Sequence, residues 1–135
     1  MNIHFDAHAL LDTQKTGIGW TAYNLLKSLL AINQEHTYTL NYFSMRVARE
    51  KRAALQEFEE LGCVINECRW FVNRTYKLLY NFIPVPYSLF FGSNADVTFF
   101  INYHVPPGVK GKVVTTVHDM VYKVFPETVN RKTLT

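Results

Sequence analysis

Two places in this 135-residue chain bring together residue types that could do chemistry. His118 and Asp119 follow an apolar run, Lys112 to Val117. A histidine just past a strand can donate a hydrogen bond to a ligand hydroxyl or stabilise developing charge. The carboxylate beside it can orient the ring or accept from the ligand. The same pair could equally cap the segment that follows. The second place is Gly17-Ile18-Gly19, ahead of a helical pattern. Glycines let a backbone come close, and the free N–H groups of a helix start attract phosphate. This is not the dinucleotide fingerprint: position 22 is alanine, and the glycines come about ten residues after the first strand rather than directly after it. A plain glycine turn leading into a helix reads as well.

Such residues act only where secondary structure holds them. Asn2 to Asp6 reads as a first strand and Ala7 to Thr16 as irregular. Ala22, Leu25, Leu26, Leu29 and Leu30 recur at helical spacing and predict a helix over Trp20 to Ile32, ended by Asn33 and Gln34. Tyr38 to Phe43 reads as a second strand. Met45 to Leu61 reads as a helix with Leu55, Phe58 and Leu61 inward, stopped by Gly62. Cys63 to Ile65 is a short third strand. A cationic, aromatic helix over Phe71 to Ile83 is broken by Pro84 and Pro86, and a helical turn over Tyr87 to Phe91 ends at Gly92. Asp96 to Ile101 is a fourth strand, Asn102 to Gly111 a loop, Lys112 to Val117 a fifth strand. A further helix is expected to start at Phe125-Pro126-Glu127.

This alternation predicts an α/β fold: a Rossmann-like, doubly wound parallel sheet with helices on both faces. The apolar fourth and fifth strands read as buried and central. Ligands of such sheets bind at the carboxyl ends of the strands, near the point where the strand order reverses. That rule selects the loop Asp6 to Gly19, the loop Asn102 to Gly108, and His118-Asp119. His8, Asn102, Tyr103 and His104 lie in the first two and are candidates for ligand contact. His4 reads as a strand residue and His36 as a turn residue.

Composition narrows the function classes. Hydrophobic residues make up 48% and charged residues 19%, a globular balance rather than a disordered one. A net charge of +3 with no recognisable motif makes no case for nucleic acid. Cys63 and Cys68 are too few for a zinc site and read as reduced thiols, which fits the cytoplasm. No secretory leader precedes the first strand, and no apolar run is long enough to cross a membrane. Arg46, Arg49, Lys51 and Arg52 form a basic patch that Glu50, Glu57, Glu59 and Glu60 dilute, so a solvated helix face is the better reading than peripheral membrane contact. The segment Arg69 to Phe91 crowds aromatics among Arg69, Arg74 and Lys77. Those rings can cover the sheet, stack on sugars or meet a lipid interface.

The combination of motifs resembles a known group. It comprises a first strand ending in Asp6-Ala7, Thr16-Gly17-Ile18-Gly19 before Tyr23-Asn24-Leu25-Leu26, and Ala95-Asp96-Val97 leading a strand. Asn102-Tyr103, Pro106-Pro107-Gly108, Val114-Thr115-Thr116-Val117-His118-Asp119 and Phe125-Pro126-Glu127 follow in order. This is similar to the N-terminal domain of retaining glycosyltransferases of the two-Rossmann-domain (GT-B) architecture, in the group-1 or family-4 class. The resemblance is weakest over Met45 to Asn94.

The resemblance implies transfer of a hexose from a sugar nucleotide to a glycan or lipid-linked acceptor. The nucleotide would sit mainly on a C-terminal domain and the acceptor on this one. Gly17, Ile18 and Gly19 would close over the donor diphosphate. His118 would lie near the transferred sugar with Asp119 beside it, and His8, Asn102, Tyr103 and His104 would face the acceptor. The sugar nucleotide is a co-substrate; neither a metal nor a cofactor is required. Trp20 departs from the group, whose members commonly carry a basic residue there. Residues 1–135 then read as a partial, acceptor-side domain, inactive alone, with a sheet edge beyond the fifth strand open to self-association. The alternative is a non-catalytic binding or assembly module that docks on a separate nucleotide-binding subunit. A nicotinamide-binding domain fits poorly, because Tyr42-Phe43-Ser44 stand where an acidic residue belongs.

Overall fold

Every strand of the sheet runs the same way, because each return is made through a crossover rather than a hairpin. A computed structural model describes residues 1–32, 35–102 and 104–128. The strands are β1 (Asn2–Asp6), β2 (Thr37–Phe43), β3 (Val64–Cys68), β4 (Val97–Phe100) and β5 (Lys112–Thr115). Their order is β3-β2-β1-β4-β5, with every neighbouring pair parallel. The helices are α1 (Gly17–Ile32), α2 (Arg49–Ala53), α3 (Gln56–Glu60), α4 (Asn73–Leu79), α5 (Ser88–Phe91) and α6 (Val121–Val124).

Period-two alternation in the strands divides the core. Ile3, Phe5, Tyr38, Leu40 and Tyr42 point to one face, where Ala22 and Leu26 of α1 and Leu55 and Phe58 at α3 cover them. Phe43, Cys68 and Phe100 point to the other, beneath Tyr76 of α4 and Phe91 of α5. The fold is therefore α/β, with a doubly wound parallel sheet covered on both faces. The second face is unusually polar. His4, Thr39, Asn41 and Thr98 are buried there, and side-chain contacts link His4 and Asn41 to Asn66 of β3: Asn41 Nδ2 lies 3.2 Å from His4 Nδ1, and Asn66 Nδ2 donates to Asn41 Oδ1 at 3.0 Å. His4 is thus an interior strand residue, as its position suggests. Burial lowers its pKa and keeps it neutral.

Several boundaries depart from the sequence reading. The segment expected to be irregular after β1 holds a 3-10 turn, Ala7–Leu10, because Ala7, Leu10 and Leu11 are drawn into the core. The expected helix over Met45 to Leu61 is two short helices. Ala54 and Leu55 donate to Lys51 and Arg52, a tighter turn that re-aims the chain so that both Leu55 and Phe58 are buried. β3 runs to Cys68 rather than Ile65, since five residues pair with β2 in spite of Asn66 and Glu67. The aromatic helix is shorter than expected, Asn73–Leu79. α6 precedes Phe125, and a 3-10 turn, Pro126–Thr128, stands where the last helix was expected to begin. The expected ending of α1 at Asn33-Gln34 lies outside the described residues.

The largest difference concerns β5. The reading made strands four and five central, and only β4 is internal. β5 ends at Thr115, lies at the edge of the described sheet, and all four of its residues are exposed. The described residues of the crossover from β4 to β5 form no helix, and Val113 and Val114 are 41% and 38% exposed.

Candidate functional site

β1 and β4 are neighbours but not consecutive. From β1 the chain winds outward one way to β2 and β3; from β4 it winds the other way to β5. The strand order therefore reverses between them, which in an open parallel sheet leaves a crevice at the carboxyl ends. A small cavity of about 30 Å³ lies there. Its floor is Asp6, the last residue of β1, with Phe100 at the end of β4. Asn102 and His104 of the following loop form one wall, His8 another, and Lys77, Tyr80 and Tyr87 form the wall that α4 and α5 contribute.

His8 and Asp6 form a fixed pair. His8 Nδ1 is 2.5 Å from Asp6 Oδ1, and the Phe43 amide donates to His8 Nε2 at 3.1 Å. An amide N–H can only donate, so Nε2 carries the lone pair and Nδ1 carries the proton. Both ring nitrogens are thereby engaged by the protein. His8 lines the cavity, and its ring nitrogens are both committed to Asp6 and Phe43.

Burial alone would raise the Asp6 carboxyl. The positive end of the His8 Nδ1–H bond, the hydrogen bond it donates and the Lys77 ammonium outweigh it and hold the carboxyl below its ordinary value of 3.8. A depressed carboxylate stabilises the fold above the unfolded-state value, and the contribution disappears as pH falls through the folded-state value. Asp6→Asn should therefore lower stability at neutral pH, and its difference from the native chain should shrink as pH falls below 3.8. Urea denaturation across a pH series reads this. A difference that grew on acidification would mean that Asp6 is not the stabilised carboxylate.

Tyr87 is buried, 5% exposed, beside this carboxylate. Its hydroxyl has no hydrogen-bond partner among the described residues. Asn41 is near enough to lower the phenol slightly, but the contact falls outside ordinary hydrogen-bond geometry. Burial pushes the phenol well above its ordinary range, so it remains a neutral O–H. Leaving such a group unpaired costs about 1–3 kcal/mol. By contrast, Tyr76 donates to the Val85 carbonyl at 3.2 Å.

His118 is fastened to the same end of the sheet. Its Nε2 is 2.6 Å from the Ile101 carbonyl. A carbonyl only accepts, so Nε2 holds a proton, and in the neutral ring Nδ1 carries the lone pair. Thr115 Oγ1 donates to the Asn102 carbonyl at 2.6 Å, and the Thr116 amide to Phe100 at 3.1 Å. Together these bonds hold the segment after β5 against the end of β4. Asp119 follows, exposed. A neutral His118 meets a ligand as an acceptor; donation from Nδ1 would require the charged ring.

The glycine segment differs from its expected form. Gly17, Ile18 and Gly19 are not a turn ahead of the helix but its first turn. Thr16 caps it, with Trp20 N donating to the Thr16 carbonyl at 2.9 Å and Gly19 N to Thr16 Oγ1 at 3.4 Å. Gly19 is packed tightly, since an added Cβ would lie 3.1 Å from the Ala9 carbonyl; at Gly17 nothing lies within 4 Å. Close approach of a ligand thus needs no glycine at 17 on steric grounds within this chain. Lys15 Nζ sits 5.7 Å from the Trp20 ring centre and 5.4 Å from that of Tyr23. The departure at Trp20 therefore has a lysine stacked on it. These residues are not among those lining the cavity.

The structure thus brings together His8, Asn102 and His104 around the cavity, while His118, not among its lining residues, is held to the Ile101 carbonyl at the same end of the sheet. Tyr103 lies outside the described residues. Asp6, Lys77, Tyr80 and Tyr87 were not singled out as site residues by sequence. The available signals were the position of Asp6 at a strand's carboxyl end and the polar members of the aromatic segment. Of that segment, Tyr76, Tyr87 and Phe91 cover the sheet, whereas Trp70 and Phe82 are exposed. The basic patch at α2 is partly neutralised, Lys51 pairing with Asp12 at 3.0 Å and Arg52 lying 3.9 Å from Glu67. No helix among the described residues is long and apolar enough to cross a membrane, and none of their His, Cys, Asp and Glu groups is placed to hold a metal ion. Compared with known proteins, the chain matches no family model, no curated protein and no solved structure.

Proposed function

We propose that this chain is the acceptor-side domain of a sugar-nucleotide-dependent glycosyltransferase that transfers a hexose, with retention, to a glycan or lipid-linked acceptor. The observation that carries the reading is the polar crevice between β1 and β4, which gathers three of the four residues expected to face an acceptor, with His118 anchored to Ile101 at the same end of the sheet. The motifs resembling GT-B transferases supply the reaction class.

In this reading the acceptor occupies the crevice. The first-turn amides of α1 and Lys15 offer a positive region for the donor diphosphate held by a second domain. His118, its orientation set by Ile101, accepts a hydrogen bond from a sugar hydroxyl through Nδ1 and, when protonated, steadies negative charge. Binding both substrates in one geometry requires both walls of the cleft, so the domain alone has little or no activity.

The exposed β5 edge favours one other reading, a non-catalytic module that docks on a separate nucleotide-binding subunit. Ligand-observed NMR of the chain with sugar nucleotides and acceptor glycans, repeated with His118→Ala, tests both. Glycan binding that weakens in the variant, with little nucleotide binding, supports the acceptor-side domain. Tight nucleotide binding by this chain alone would overturn it. No binding of either, with a dimer in sedimentation, would favour the docking module.

A further inference from the structure

The crevice holds more than the resemblance implies. Its α4 and α5 wall supplies groups that belong to none of the motifs, and one of them is a buried hydroxyl with nothing to bond. The cavity is about 30 Å³, roughly the volume of one water in the liquid. It opens to solvent and has room at its base for a hydroxyl-sized group. The polar groups around it have opposite demands. The Asp6 carboxylate accepts only, and Oδ1 is taken by His8; the Tyr87 O–H lacks an acceptor. A hydroxyl is the one common group that can donate to the first and accept from the second. Lys77 lies near enough to lower the Asp6 carboxyl, so the two charges offset each other.

We propose that this cavity is a hydroxyl-binding subsite for a neutral sugar or polyol, whose hydroxyl donates to Asp6 and accepts from Tyr87, with Lys77 discriminating against cationic ligands and Asp6 against anionic ones. The subsite deepens the acceptor assignment above and rests on it for its place in a reaction. Tyr80 and Lys77, at the mouth on α4, border the remainder of the ligand.

The test uses the whole chain and simple probes: a neutral methyl hexoside, its uronate and its amino-sugar counterpart, followed by ligand-observed NMR. The neutral glycoside should bind best. Tyr87→Phe should weaken it about five- to tenfold, the loss of one hydrogen bond in a desolvated site. Because that hydroxyl has no partner among the described residues, Tyr87→Phe should leave the melting temperature unchanged or raised; a purely structural hydroxyl would lower it. Lys77→Gln, at an exposed position, should improve binding of the amino sugar relative to the uronate. Equal binding of the neutral probe by Tyr87→Phe and the native chain, or preference for a charged probe, would overturn the proposal. So would no binding of the neutral probe, which would mean that the cavity serves water alone. None of these failures touches the acceptor-side reading, which stands or falls on the glycan and nucleotide arms above.

Discussion

Phe43→Ala should destabilise the domain by about 3–5 kcal/mol, the range for truncating a buried phenylalanine. Phe43 is 2% exposed and ends β2 on the face that α4 and α5 cover. Its ring centre lies 4.9 Å from Phe91, 5.1 Å from Tyr76, 5.2 Å from Phe90 and 5.7 Å from the His8 ring. The cover it meets has little stability of its own. α4 has seven residues and α5 four, and isolated helices shorter than about 12 residues do not persist in water. Packing on Phe43 is what holds them down. The alanine variant should therefore lose the wall of the crevice as well as stability. Urea denaturation followed by far-UV and near-UV circular dichroism reads the two effects separately. Phe82→Ala, at a ring 86% exposed, should change stability by no more than about 0.5 kcal/mol. A loss at Phe43 as small as that would mean that the aromatic cover is not packed on the sheet.

The second large effect is expected at Gly108. Its φ of +67° is one that side chains rarely adopt, and an added Cβ would lie 2.3 Å from Pro86 Cβ and 2.7 Å from Pro86 Cα. The backbone cannot move aside freely. Tyr87 N donates to the Pro107 carbonyl at 2.8 Å and Ser88 N to the Gly108 carbonyl at 3.3 Å, so this loop and the start of α5 are joined on both sides of the overlap. The left-handed conformation costs alanine about 1–2 kcal/mol, and overpacking adds about 1–3 kcal/mol. Gly108→Ala should accordingly separate the loop from α5, shift Tyr87 and abolish glycoside binding. Gly17→Ala is the matched control. Nothing lies within 4 Å of its Cβ position, and alanine in a helix is favoured over glycine by about 0.5–1 kcal/mol. Two variants of equal stability would show that the Gly108 contact is not formed.

These two positions illustrate where sequence reading was sufficient and where it was not. The strand at Asn2–Asp6, the helix ending in Ile32 and the glycine stops at Gly62 and Gly92 follow from local rules. A strand alternates, a helix repeats its apolar positions every three to four residues, and a chain leaves a helix where φ turns positive. The carboxyl-end rule then pointed to two loops that line the crevice between β1 and β4, because it depends only on strands being parallel and connected by crossovers. Nothing local distinguishes an edge strand from a central one. Lys112 to Val117 has the composition of a buried strand, and its exposure depends on which elements cover it.

Residue types, their order and the alternation of strand and helix were determined by the sequence itself, and with them the parallel α/β architecture. Three matters belonged to the tertiary structure. The first was the union of Asp6 with Lys77 and Tyr87, more than seventy residues apart in the chain. The second was the tautomer of His8, set by an amide 35 positions away. The third was the burial of the Tyr87 hydroxyl without a partner among the described residues. Each depends on what a side chain meets across the sheet, and a contact between distant segments leaves no periodic mark in either of them.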